Sequence, residues 1–147
     1  MKCICVMAGA LVLAISAYAA PAQVTPITNC PAPPGINVVV PSGLPAALRT
    51  ALPGDIALPG EPFDSTDVYV KGHKHRRYIF VWNIGSRWIV AMEQGGKALR
   101  GEILIYDLGK DGKTATRIEQ RITFPNRVCA AATKLVEKGN RDREAKY

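Results

Sequence analysis

The stretch Lys71–Val90, KGHKHRRYIFVWNIGSRWIV, decides how the chain folds. From Arg76 to Trp82 it is rich in aromatic and β-branched residues, which fit a pleated strand. Asn83-Ile84-Gly85 then predicts a three-residue hairpin loop with Gly85 in the left-handed conformation. This closure sets Trp82 opposite Ser86, Phe80 opposite Trp88 and Tyr78 opposite Val90. One hairpin face carries Tyr78, Phe80, Trp82, Trp88, Val90 and Met92, and the two indole rings are expected to pack in a core. The other face carries Ile79, Val81, Ile89 and Ala91, with Arg77 facing Ala91 and Arg87 facing Val81. The guanidinium groups on that face are expected to point into solvent.

Outward from the hairpin, Val68–Lys71 predicts a short first strand, with Gly72-His73-Lys74-His75 as its turn. On the other side the chain breaks at Gln94-Gly95-Gly96. A fourth strand is predicted over Glu102–Leu108, and the turn Gly109-Lys110-Asp111-Gly112 leads into a fifth from Lys113 to Phe124. Arg117, Glu119 and Arg121 alternate with Ile118, Gln120 and Ile122 there, a pattern that suits an edge strand with one solvated face. Asn126 can cap a helix from Arg127 to Lys138, with Val128, Ala132, Leu135 and Val136 on one side and Gly139 as the stop.

Ten of the eleven prolines fall between Pro21 and Pro62. Each lacks a backbone donor, so this third of the chain is expected to form neither a regular sheet nor a long helix. It reads as an arm. Within it Ile36–Val40 has strand character, and Pro45 opens a short helix in which Leu44, Leu48 and Leu52 share a face suited to docking on the sheet. The plan is α+β: a single small domain, an antiparallel meander of about five strands with a C-terminal helix packed on it and a proline-rich N-terminal arm.

Residues 1–19 carry one cation, Lys2, then an uncharged apolar run that ends in Ala17-Tyr18-Ala19. That is the form of a secretory signal peptide cut after Ala19, and the run is shorter than the roughly 20 residues that cross a bilayer. The expected organisation is a signal peptide over 1–19, the arm over 20–66, sheet and helix over 67–139, and a mobile tail over 140–147. Cleavage leaves 128 of the 147 residues, and the loss of Lys2 leaves eighteen basic side chains against twelve acidic, a formal charge of +6. It also removes Cys3 and Cys5. Cys30 and Cys129 are then the two cysteines left in an oxidising compartment, where they are expected to join as a disulfide that clamps the arm to the helix.

Catalytic motifs are absent from the sequence: there is no G-x-S-x-G, P-loop or H-E-x-x-H. His73 and His75, at H-x-H spacing, suggest either a metal pair or two phosphodiesterase histidines. Against a metal stand Lys74, Arg76 and Arg77, and neither copy of H-x-T or H-x-S occurs. The loop Asp107–Lys113 has too few carboxylates for calcium. No metal or cofactor is therefore expected. The window Val68–Met92 holds Lys71, Lys74, Arg76, Arg77 and Arg87 and no acid. With His73 and His75, these residues form the expected contact set.

The expectation is a small secreted or periplasmic binding protein without catalytic activity. Its expected partner is an anionic envelope polymer or an acidic protein, with no specific nucleic acid and no membrane span after cleavage. Two alternatives stand beside it. One is a small hydrolase or phosphodiesterase using His73 and His75, and the other is an inhibitor or immunity-type protein directed at a secreted enzyme.

Overall fold

The computed structural model describes residues 30–144, so the signal segment, residues 20–29 of the expected arm and residues 145–147 lie outside the described residues. Four long strands form the sheet in sequence order: β3 (Arg76–Ile84), β4 (Arg87–Gln94), β5 (Arg100–Leu108) and β6 (Ala115–Thr123), all antiparallel. Two short strands from the arm complete it at one side. β1 (Asn37–Val38) pairs antiparallel with β3 at Trp82 and Asn83, and β2 (Ile56–Ala57) pairs parallel with β3 at Arg76 and Arg77. The Val68–Lys71 segment expected as a strand is instead an exposed loop, because β1 and β2 occupy the outer edge of β3. The six strands make an α+β domain with one C-terminal helix, as the plan requires.

Both faces of the sheet are covered, and this overturns the hairpin register expected from the sequence. Helix α2 (Val128–Glu144) brings Val128, Ala132, Leu135 and Val136 onto Phe80, Trp82, Ile89, Ala91, Ile103 and Ile105. On the opposite face, α1 (Ala46–Ala51) and its flanks seat Leu44, Leu48 and Leu52 on Val81, Trp88, Val90, Met92, Leu104 and Tyr106. The turn has two residues, Gly85 and Ser86, with Ile84 opposite Arg87 and Trp82 opposite Ile89. The two tryptophans are both buried, as expected, but on opposite faces. A bulge at Ile79 then sets Tyr78 opposite Met92, where the sequence predicts Val90. Asn83 fixes the tight turn, since its side-chain amide donates to the carbonyls of Gly85 and Arg87 at 2.9 and 3.1 Å, while Gly85 takes a φ of 58°.

The arm crosses from one face to the other around the β3 edge. Cys30, Ala32 and Ile36 pack with the α2 cluster, and beyond β1 the chain delivers Val39 and Leu44 to the α1 cluster. Cys30 and Cys129 stand as a disulfide pair with Cα atoms 5.4 Å apart, which ties the start of the arm to the first turn of α2. A tight approach seats that turn: a Cβ at Gly101 would collide with Val128. The helix runs on past Gly139, where the sequence predicts its end. A Cβ at Gly139 would lie 3.1 Å from Arg87 Nη1, so the glycine lets α2 pass directly over that guanidinium. The loss of helix propensity is about 1 kcal/mol.

Two tyrosines on the α1 side give a pH dependence. Burial raises the Tyr106 hydroxyl above its ordinary value of 10, with Arg117 opposing, and burial likewise raises Tyr78. A raised folded value means that the native state holds these protons more tightly than the unfolded chain. Their contribution is complete below pH 10 and is lost as pH climbs through the folded values. Denaturant midpoints should fall above pH 10, in step with tyrosinate absorbance, and Tyr78→Phe should reduce the slope. An unchanged slope in Tyr78→Phe would remove that tyrosine from the account.

Candidate functional site

The contact set expected from the sequence does not form one surface, because Lys74, Arg76, Arg77 and Arg87 are each held by a different carboxylate. Arg77 is the clearest correction. A guanidinium expected to face solvent is buried at 7% exposure, with Nη2 2.6 Å from Oε2 of Glu93, its cross-strand neighbour, and Phe63 stacked 4.2 Å over it. The physical reason is pairing: opposite Arg77 stands Glu93 and not Ala91, so the strand supplies a counter-ion within the sheet. Arg87 faces Ile84 and Asp107 and not Val81, and it grips Asp107 through two bonds, Nε–Oδ1 at 2.9 Å and Nη2–Oδ2 at 3.1 Å. That grip raises the Arg87 pKa further above its ordinary value. Arg76 turns to the α1 face, where its Nε lies 3.5 Å from Glu102, a carboxylate that also accepts from Gln120 at 2.6 Å.

The two histidines converge on one acid. Asp64 is 4% exposed and accepts the Val70 amide at 3.0 Å. His73 Nδ1 lies 3.0 Å from its Oδ1, and His75 Nδ1 lies 4.0 Å from its Oδ2. A turn from Val70 to His73 with Gly72 at φ 88°, closed by a 3.0 Å backbone bond, delivers His73 to this carboxylate. Gly95 supports it from beneath: its amide donates to the His75 carbonyl at 2.9 Å, and a Cβ there would collide with the Asp64 carbonyl. Lys74 Nζ reaches Glu61 at 3.5 Å and the Ile56 carbonyl at 3.3 Å. Lys71 is exposed at the loop tip beside Tyr69. Among the described residues no group of three or more His, Cys, Asp or Glu is arranged to hold a metal ion.

The acids that neutralise the window are Glu61, Asp64, Glu93, Glu102 and Asp107, five of the twelve in the chain. The basic excess is left elsewhere. Between β6 and α2 runs an open groove of about 940 Å³, lined among the described residues by the cations Arg121, Arg127, Lys134, Lys138 and Arg141 and by one acid, Glu137. Arg121 bonds its neighbour Glu119 at 3.1 Å, and Arg127 lies 5.9 Å over the Phe124 ring. Leu135, Ala130 and Ala131 add apolar lining. A smaller cleft shares Leu135 and Lys138 with the groove and extends the seam to Ile118 and Glu119.

No family model, no curated protein and no solved structure matches this chain. Among the described residues no helix is long and apolar enough to cross a membrane.

The groove was present in the sequence as a spacing. Arg127, Lys134, Lys138 and Arg141 recur at seven, four and three residues, which places them on one side of a helix. Such a stripe reads as the ordinary solvated face of an amphipathic helix. What the sequence does not show is that Arg121 of β6 faces it.

Proposed function

We propose that the protein is a secreted or periplasmic binding protein without catalytic activity, and that the groove between β6 and α2 takes its anionic partner. The observation that carries this reading is the imbalance along the groove: among the described residues it is lined by Arg127, Lys134, Lys138 and Arg141, and by Arg121, which Glu119 already holds, against the single acid Glu137. Elsewhere the arginines expected to bind are closed by carboxylates of the same chain. A field of one sign over an open groove attracts polyanions and weakens with salt, since charges screen over about 8 Å at physiological ionic strength. Retention on a sulfated-polysaccharide column tests it. The double variant Lys134→Glu/Lys138→Glu should elute at clearly lower salt than the wild type, while Lys71→Ala/Lys74→Ala should elute near it. These are exposed or half-exposed side chains, so changes in stability should stay within about 0.5 kcal/mol. The reverse pattern would return the contact surface to the loop at Lys71.

One observation favours a second reading, a hydrolase or phosphodiesterase using His73 and His75. A buried carboxylate that holds a histidine Nδ1 orients the ring and leaves Nε2 for proton transfer, as in acid–base dyads. Turnover of a phosphodiester or ester panel that disappears in His73→Ala, with the fold retained, would establish this reading in place of binding alone.

A further inference from the structure

The two edges of the sheet are treated differently. The outer edge of β3 is closed at both ends, by β1 on Trp82 and Asn83 and by β2 on Arg76 and Arg77, and Val39 donates to the Val81 carbonyl between them at 2.9 Å. The other edge belongs to β6, nine residues long, and among the described residues no strand pairs with its outer side. An open edge of this length offers a row of backbone donors and acceptors to any extended chain. Ile118, Ile122 and Phe124 stand exposed along or just beyond this edge.

From this we infer that β6 takes an extended acidic segment of a partner protein as an added strand, its carboxylates meeting Arg121, Arg127, Lys134 and Lys138 across the groove. The inference rests on the anion-binding reading of the same groove and names the class of partner. Charge selects the occupant. Cations on an edge strand discourage neutral strands and other copies of a basic chain, and this chain carries +7 overall. They attract a strand that brings carboxylates. Residues 1–29 and 145–147 contain no Asp or Glu side chain, so neither of these segments is that strand. A polysaccharide or nucleic acid would use the cations but leave the β6 amides and carbonyls to water. A peptide of alternating carboxylate and apolar side chains uses the cations, the backbone edge and the exposed Ile118 and Ile122 together.

The test uses a synthetic peptide of alternating Glu and Val, and the same peptide N-methylated at alternate amides. Methylation keeps the charge and removes the donors that pair with a strand. Titration calorimetry should show binding that the N-methylated peptide loses by about tenfold or more, and that Lys134→Glu/Lys138→Glu also loses. Amides of β6 that face away from β5 should gain protection from hydrogen exchange when the unmodified peptide binds. Equal affinity for the two peptides would overturn strand addition and leave the anionic groove standing. If neither the peptides nor the sulfated polysaccharide depend on Lys134 and Lys138, both readings fall. A dimer of this chain that forms through β6 and excludes the peptide would also overturn the inference.

Discussion

Arg77→Ala is expected to destabilise the fold by about 3–5 kcal/mol, the usual cost of removing one partner from a buried ion pair. The variant leaves Glu93, at 1% exposure, as a carboxylate without its counter-ion in the sheet interior. Glu93 Oε1 already has no hydrogen-bond partner among the described residues, so nothing nearby takes up the charge. The Phe63 contact is lost as well, worth about 0.5–2 kcal/mol depending on its desolvation. The control is the paired replacement Arg77→Met/Glu93→Leu. It removes both charges and should recover most of the loss, because well-packed apolar residues commonly replace a buried pair without cost. Arg87→Ala supplies the contrast: its bridge to Asp107 is partly solvated, so the expected loss is about 1 kcal/mol or less. Urea midpoints at constant slope measure all three. A loss for Arg77→Ala no larger than that for Arg87→Ala would mean that the pair is solvated.

The behaviour of Arg77 shows what the sequence could and could not convey. Strand positions from Arg76 onward, the edge placement of β6, the leucine face of α1 and the buried face of α2 are all legible, because each depends on local periodicity. Hairpin register is not. A strand covered on one face alternates cleanly, and a slip of one residue would expose its apolar set. Here β3 and β4 are covered on both faces, so Val81, Trp82, Ile89, Val90 and Ala91 are all buried and no alternation marks which face is which. A shift from a three-residue to a two-residue turn then moves Trp82 from one core to the other without violating any burial pattern. The same limit hid the ion pairs. Glu93 and Asp107 lie well away in sequence from the arginines they hold, and cross-strand register alone decides that they meet.

The candidate site was hidden for a related reason. Counting cations within a window finds the richest run, Lys71 to Arg87, but the field at a surface depends on where the acids fold. Asp64, Glu93, Glu102 and Asp107 return to that run from loop and strand positions. Among the described residues, Glu137 is the one acid lining the groove where α2 meets β6. A protein can therefore carry its densest basic sequence where its surface is nearly neutral, and its most basic groove where the sequence looks like an ordinary amphipathic helix.

Loss of the Cys30–Cys129 link should have a comparable effect to loss of the buried pair, through a different state. The two cysteines are 99 residues apart, so the link closes most of the chain into a loop. In the chain-entropy account, closing a loop of this length restricts the unfolded chain enough to stabilise the fold by about 4–5 kcal/mol. Cys30→Ser/Cys129→Ser should therefore lower stability by that order, with little change in the sheet itself. The structure also says where the native state should loosen first. Cys30, Ala32 and Ile36 lie on the α2 face, while α1 is held on the other face by Leu44, Leu48 and Leu52 and by the Tyr106 hydroxyl donating to the Ala51 carbonyl at 3.1 Å. Without the link, hydrogen exchange should quicken at residues 30–36 and in the first turn of α2 while α1 keeps its protection, because β1 still anchors the arm to β3 between the two. Equal loosening of α1 and of residues 30–36 would show that the arm docks as one unit and that the link holds both faces together. A stability change below about 1 kcal/mol would place the effect outside the loop-closure account altogether.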